Sequence, residues 1–137
     1  MLELEKPTFD AEVFLASAGF GRRIVKLRGK QTIFSQGESA DSVFYLQSGR
    51  AKLTVVSKNG KEATITHLSA GEFVGVESLA STGGLHKSTF TSIMDCTVLQ
   101  IEREEMIRAL HEEHSLSQIF MEFLVARSVR LHSDLVD

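Results

Sequence analysis

Between Arg22 and Glu102 the apolar residues come in short runs rich in Val, Ile, Thr and Phe, and each run ends at turn residues. The punctuation is Gly29-Lys30, Gln36-Gly37, Ser48-Gly49, Asn59-Gly60, Ala70-Gly71 and Gly83-Gly84. Short strands separated in this way predict a compact antiparallel sandwich or barrel. One hairpin is nearly explicit. Ala51–Val56 leads through Ser57-Lys58-Asn59-Gly60-Lys61 into Glu62–Leu68, with Asn-Gly, the strongest short-range hairpin signal, at the tip. Alternation places Ala51, Leu53 and Val55 on one face of the first strand, and Ala63, Ile65 and His67 on one face of the second. Residues 10–20 read as a short helix started by Asp10 and ended by Gly19. After Ile101 the apolar period becomes helical. Glu102–His111 predicts a short helix with acidic residues early, where the macrodipole favours them. Ser115 opens a second helix that runs to the end of the sequence. Its apolar stripe, Leu116, Ile119, Phe120, Phe123, Leu124, Leu131 and Leu135, is wide enough to pack on the chain's own strands and also to meet a second copy.

Composition narrows the class. The 137 residues suffice for one domain with a real core, and 42% hydrophobic with 24% charged is ordinary for a globular protein. A net charge of −3 argues against a free-standing nucleic-acid-binding chain. No apolar run approaches the roughly 20 residues that span a bilayer. The acidic N-terminus Met1–Pro7 lacks a signal-peptide core, so the expected compartment is the cytoplasm. The single cysteine, Cys96, excludes an internal disulfide and a four-cysteine iron–sulfur cluster within one chain.

The segment Ile33–Gly49 reads as strand, glycine turn, buried strand, glycine turn, with the apolar run Val43-Phe44-Tyr45-Leu46 between Gly37 and Gly49. It resembles the first signature of the cyclic-nucleotide-binding domain, the main departure being Phe34, where Val, Ile or Cys is usual. Gly71-Glu72-Phe73-Val74-Gly75 is similar to the scaffold of that family's phosphate cassette. With the strand-rich middle and the long last helix, the chain resembles the sensor half of Crp/Fnr-type transcription regulators. The fold this implies is mostly β with flanking helices: a double-stranded β-helix, or jelly roll, plus a long C-terminal amphipathic helix. It implies one domain over 1–137, with an N-terminal helix at 10–20, a β-roll at 22–102 and C-terminal helices at 103–137. In such regulators the last helix pairs two copies, here through Leu116, Phe120, Phe123, Leu124, Leu131 and Leu135, and a winged helix that reads DNA follows. The sequence stops at Asp137 and contains no winged helix, so DNA is expected as a partner only through a domain outside it.

The resemblance also implies a ligand site. A glycine lets backbone approach a phosphate, and amides opening a short helix attract it. The candidates are Gly75, Val76, Glu77, Ser78, Leu79, His86, Lys87 and Ser88, with Leu53, Ile65, Thr66, Leu131 and His132 lining the pocket. The family's ribose-binding Glu is replaced by Val76. Its phosphate-binding Arg is replaced by His86, or by Lys87 if the loop has shifted by one. Glu77, one place late, is a possible stand-in carboxylate. The base-reading Thr-Ser pair of the last helix falls at Leu131 and His132. Each lost bond to a charged group is worth roughly 1.5–3 kcal/mol, and about 1.4 kcal/mol is tenfold in affinity. The expected pocket is therefore degenerate: no cofactor is implied with certainty, and a cyclic nucleotide is held weakly if at all.

Other clusters read more plainly. His111-Glu112-Glu113-His114 spaces its histidines three apart, not four, and reads as a solvated helix junction. His67 reads as an inward-facing core or pocket histidine, Cys96 as a buried inert thiol, and Arg22, Lys26, Arg28 and Lys30 as one solvated strand face. His86-Lys87 is either an anion contact or a solvated loop end. The functional expectation is a non-enzymatic effector-sensing and dimerising module. The alternative is a ligand-free interaction or dimerisation module on the same barrel. A metal-dependent barrel enzyme is disfavoured, because only His67 and His86 fall in the strand region and no His-x-His pair exists.

Overall fold

Among the described residues the alternating runs become ten strands, and three of them are covered on both faces. The computed structural model describes residues 21–80 and 84–136, with side chains as far as residue 130. The helix expected at 10–20, and the side chains of Leu131, His132 and Leu135, lie outside the described residues. The strands are β1 (Arg22–Leu27), β2 (Thr32–Phe34), β3 (Ser39–Ala40), β4 (Ser42–Ser48), β5 (Arg50–Val56), β6 (Glu62–Ser69), β7 (Phe73–Val74), β8 (Gly84–Leu85), β9 (Thr89–Ser92) and β10 (Cys96–Glu102). Among the described residues a 3-10 turn, Val76–Leu79, interrupts them, and α1 (Arg103–Glu112) and α2 (His114–Val136) follow. All pairings are antiparallel. One sheet runs β1-β10-β4-β7, a second β2-β9-β5-β6, and β3 with β8 makes a small ribbon. This is the jelly-roll arrangement, built as open facing sheets rather than a closed barrel.

Side-chain parity explains the layers. In β4, Phe44 and Leu46 point at the second sheet, where they meet Phe34, Ala51, Leu53, Leu68 and Phe90. Val43 and Tyr45 point the other way, into a cluster with Met106 and Ala109 of α1 and Leu116 and Phe120 of α2. β10 divides likewise, Cys96 and Val98 to the sheet and Leu99 and Ile101 to the helices. A strand buried on both faces reads as a continuous apolar run, which is why Val43–Leu46 shows no polar alternation.

The β5–β6 hairpin forms as expected, with Gly60 at φ 81° in its turn. Its inward face differs from the one read above. Ala51 pairs with Leu68 and Leu53 with Thr66, so Thr66 and Leu68 turn inward. The register then slips between Leu53 and Thr54, leaving Ile65 as the extra residue of a bulge and 53% exposed. His67 is exposed as well, not a core histidine. Both parities of Ala63–Leu68 carry apolar and polar residues, so alternation alone did not decide between them. Arg22 also departs from expectation. β10 runs directly into α1, which lays Glu105 over the start of β1. Arg22 Nε donates to Glu105 Oε2 at 2.8 Å, and Arg108 Nη2 donates to the same oxygen at 2.6 Å. These partners, Arg108 foremost, hold the Glu105 carboxyl below the usual carboxylate range against the opposing effect of burial. Cys96 is buried as read, its thiol donating to the Arg50 and Met94 carbonyls, and burial raises its pKa.

Gly49 is the turn on which the two sheets depend. It sits at φ 97°, and a Cβ there would lie 2.4 Å from the Asp95 carbonyl oxygen and 2.7 Å from Cys96 Sγ. Gly60 has a similar φ but open space around it. Gly49→Ala is therefore expected to cost about 3 kcal/mol or more, against about 1 kcal/mol for Gly60→Ala, as read from urea unfolding of the two variants. Equal costs would show that the corner at Gly49 relaxes freely.

Candidate functional site

The cassette begins where β7 ends. Gly75 adopts φ 77° and ψ 28° and opens the 3-10 turn Val76–Leu79. A Cβ at Gly75 would meet the Ser42 carbonyl oxygen at 3.2 Å, Phe44 Cδ1 at 3.3 Å and His86 Cε1 at 3.4 Å. Glycine is thus required both by the backbone angle and by close approach. Ser78 is buried, and its N–H and Oγ both donate to the Gly75 carbonyl, at 3.1 and 2.9 Å.

The scaffold is filled from within. His86 is 4% exposed. Its N–H donates to the Glu38 carbonyl at 2.8 Å, and its carbonyl accepts from Gly37 N–H at 2.8 Å, so the glycine turn of Ile33–Gly49 holds its backbone from both sides. Its ring stacks on Phe34, centroids 3.6 Å apart and 11° from parallel. Its Nδ1 lies 2.8 Å from Glu77 Oε2. The two sequence departures noted above, Phe34 and His86, therefore touch each other, and Glu77 is aimed at His86. Val76 packs against the helix-side cluster, as does Leu79. Lys87 is exposed and Ser88 buried, which makes His86 and not Lys87 the inward member of the pair.

The remaining expected positions scatter. Leu53 is buried between the sheets and Thr66 lies half-buried opposite it. Ile65 faces solvent and lines nothing. Leu116 and Phe120 are 0% and 5% exposed within the chain's own core, so they are not free to meet a second copy. Phe123 packs on the same cluster, and Leu124 is 37% exposed. The stripe of α2 is really two faces. The outward one is Met121, Leu124, Val125 and Val129, at intervals of three, four and eight from Met121.

Two basic residues were not foreseen. Arg127 is half-buried, its Nη1 donating to the Phe73 carbonyl at 3.4 Å and its guanidinium 5.7 Å from the Phe123 ring centre. Burial pulls its pKa below the ordinary arginine value, offset by the charges of Glu72 and Glu77. Arg130 Nη2 lies 3.8 Å from Glu72 Oε1. The signal was present in sequence, since Phe120, Phe123, Arg127 and Arg130 follow one face at helical spacing. Clefts of about 530 and 430 Å³ lie at Gly21–Arg23, Asp41, Gln100 and Arg103, and at Leu79, Ile107 and Leu110; of the cassette residues only Leu79 borders either. His111 and His114 are exposed at the helix junction, and no cluster fit to hold a metal occurs among the described residues. No described helix is long and apolar enough to cross a membrane.

A family model described as the cyclic nucleotide-binding domain matches residues 24–113. The chain belongs to the cyclic-nucleotide-binding-domain family. It is 32% identical over 78 residues to the cAMP-activated global transcriptional regulator CRP of Pasteurella multocida, covering 57% of this chain and 37% of that protein. It is 31% identical over 124 residues to the global nitrogen regulator of Nostoc, covering 85% of this chain and 54% of that one. A transcriptional regulator from Thermotoga maritima shares the fold, with a TM-score of 0.78 at 19% identity over 93% of this chain and 95% of that chain. The chain thus spans about half or less of the length of the curated relatives it matches.

The His86 stack predicts a measurable coupling. Phe34→Ala and His86→Ala are each expected to cost about 2–4 kcal/mol in urea unfolding. The double variant should reveal a coupling of about 0.5–1.5 kcal/mol between them. Strict additivity would mean that the rings merely lie side by side.

Proposed function

We propose that this chain is the effector-sensing and dimerising module of a Crp/Fnr-like transcription regulator, non-enzymatic, whose cassette is closed by its own side chains. The observation that carries this reading is His86, buried, stacked on Phe34 and paired with Glu77 in the space beside Gly75. A phosphate seated there would have to displace the Glu77 carboxylate from His86, and no arginine fork replaces the one the family uses. Val76 offers no acceptor to a ribose hydroxyl. Gly75–Leu79, His86 and Ser88 form the effector site in this reading, with Arg127 beside it, and Lys87 contributes only at the rim. The natural effector is then something other than a tightly held cyclic nucleotide. Two copies would pair through Met121, Leu124, Val125 and Val129, and DNA would be engaged through a separate winged helix, in keeping with relatives named as transcriptional regulators.

A second reading, a dimerisation or partner platform with no small ligand, is favoured by the same internal filling. Calorimetry tests the closed cassette that both share, and thermal melting separates the two. Titration with cyclic AMP, cyclic GMP and cyclic di-GMP is expected to give no dissociation constant in the low micromolar range, and a low-micromolar value for any of them would overturn the closed cassette. Small anions or acidic metabolites that raise the melting temperature of the wild type but not of His86→Phe would favour the sensor over the platform. Val76→Glu, which would restore the family carboxylate, instead places a charge against the helix-side cluster and should lower stability by several kcal/mol, roughly, without gaining affinity.

The dimer is tested separately. Leu124→Glu with Val125→Glu changes only exposed positions. In sedimentation velocity the wild type is expected to run as a dimer and this variant as a folded monomer; a monomeric wild type would remove the pairing from the proposal.

A further inference from the structure

At the end of the strands remote from α1, three bends of the chain are knitted into one rigid corner. The buried Ser92 hydroxyl accepts from Gln31 N–H at 2.9 Å and donates to the Arg28 carbonyl. Lys30 N–H donates to the Ser92 carbonyl and Ile93 N–H to the Arg50 carbonyl, both at 2.8 Å. Cys96 closes the third side through the Arg50 and Met94 carbonyls. On this corner Ile93 and Met94 stand 43% and 50% exposed, side by side in the turn between β9 and β10. Arg28, Lys30 and Arg50 belong to the same hydrogen-bonded corner, all exposed, and none makes an ion pair among the described residues. Asp95 is the one acidic residue in the turn itself. Lys30 adds a second observation. It is the non-glycine residue at positive φ among the described residues, at 66°, a left-handed conformation that costs a lysine free energy glycine would not pay.

We propose that this corner is a docking surface for an acidic protein segment bearing apolar side chains. Two consecutive exposed apolar residues on a corner that also carries three exposed cations without ion pairs, in a chain whose net charge is −3, complement a partner that pairs carboxylates with an apolar anchor. Rigidity favours the same use, since the hydrogen-bonded corner is ordered before any partner arrives. Nucleic acid fits less well. Three cations neutralise few phosphates, and an apolar centre with Asp95 beside it has no role against a duplex backbone. A membrane surface fits less well too, because two apolar side chains and about 1 kcal/mol per cation give only marginal binding.

The test is fluorescence polarisation with a short labelled peptide in which glutamates flank two leucines, run against the same peptide with glutamine for glutamate. The glutamate peptide should bind the whole chain, less tightly as salt rises. Arg28→Glu, Lys30→Glu and Arg50→Glu together should weaken it by about tenfold or more. Met94→Ser should weaken it at unchanged salt dependence. Lys58→Glu, in the exposed hairpin turn, should leave it unaltered. Lys30→Gly guards against misfolding as the cause, since it should raise the melting temperature while weakening the peptide. Equal binding of the two peptides, no binding of either, undiminished binding by the triple variant, or stronger capture of duplex DNA or phosphatidylserine vesicles than of the peptide would each overturn the proposal.

Discussion

The structure turns on the two-sided burial of β4 and β10. These strands form the middle of the first sheet, and they supply both cores at once: Phe44, Leu46, Cys96 and Val98 to the sheet interface, Val43, Tyr45, Leu99 and Ile101 to the helices. Neither layer can shift without disturbing the other, because adjacent residues of one strand belong to different cores and interiors are close-packed. The remaining elements are arranged around this middle. Among the described residues β7 pairs only with β4, so the residues that lead into the cassette, Phe73 and Val74, are held against the same strand and divide between the same two cores.

That placement gives the cassette a physical route to the last helix. Phe73 lies two residues before Gly75. Its ring meets Tyr45 and Phe120 at 4.9 Å and Phe123 at 5.5 Å, and its carbonyl accepts from Arg127. Val76 and Leu79, on the far side of Gly75, pack into the same cluster. A displacement of the 3-10 turn would therefore be felt first by Phe120, Phe123 and Arg127, on the inward face of α2, while Leu124 and Val125 lie on the outward face of the same turns. Contact of this kind is a route, and not yet coupling. Coupling requires two arrangements of the turn that a ligand binds unequally.

Much of this was legible in the chain itself, for identifiable reasons. Gly37, Gly49 and Gly60 all take positive φ at the turns where the pattern put them, and the continuous run Val43–Leu46 announced a strand covered on both faces. The period change after Ile101 located α1 within a residue, and α2 starts at His114, one residue before the expected Ser115. What failed was parity and partnership. Ile65 and His67 were assigned inward because one bulge reverses which side a strand presents, and a bulge leaves no mark in a run as mixed as Ala63–Leu68. Arg22 was placed in solvent because its acidic partner, Glu105, is 83 residues away. Leu116 and Phe120 were given to a second copy because a helical stripe says which residues are apolar, not which body they touch.

The cassette shows the same limit most sharply, and it changes what the departures mean. Taken one at a time, Phe34, Val76 and His86 look like losses from a nucleotide site. In the proposed reading they belong together: a ring for His86 to stack on, an apolar residue where the family has a ribose carboxylate, and a carboxylate one place later that meets the histidine. Glu77 is only 27% exposed in its side chain and His86 only 3%, so the pair is largely shielded from solvent screening. An entering anion would have to replace a contact of 2.8 Å already made by Nδ1 of the buried imidazole. If the open arrangement is populated only to a fraction f, the affinity seen in solution falls by that same fraction. In the proposed reading, returning His86 alone to the family's arginine leaves Phe34 and Glu77 in place, since these two, and not Val76, are what His86 touches.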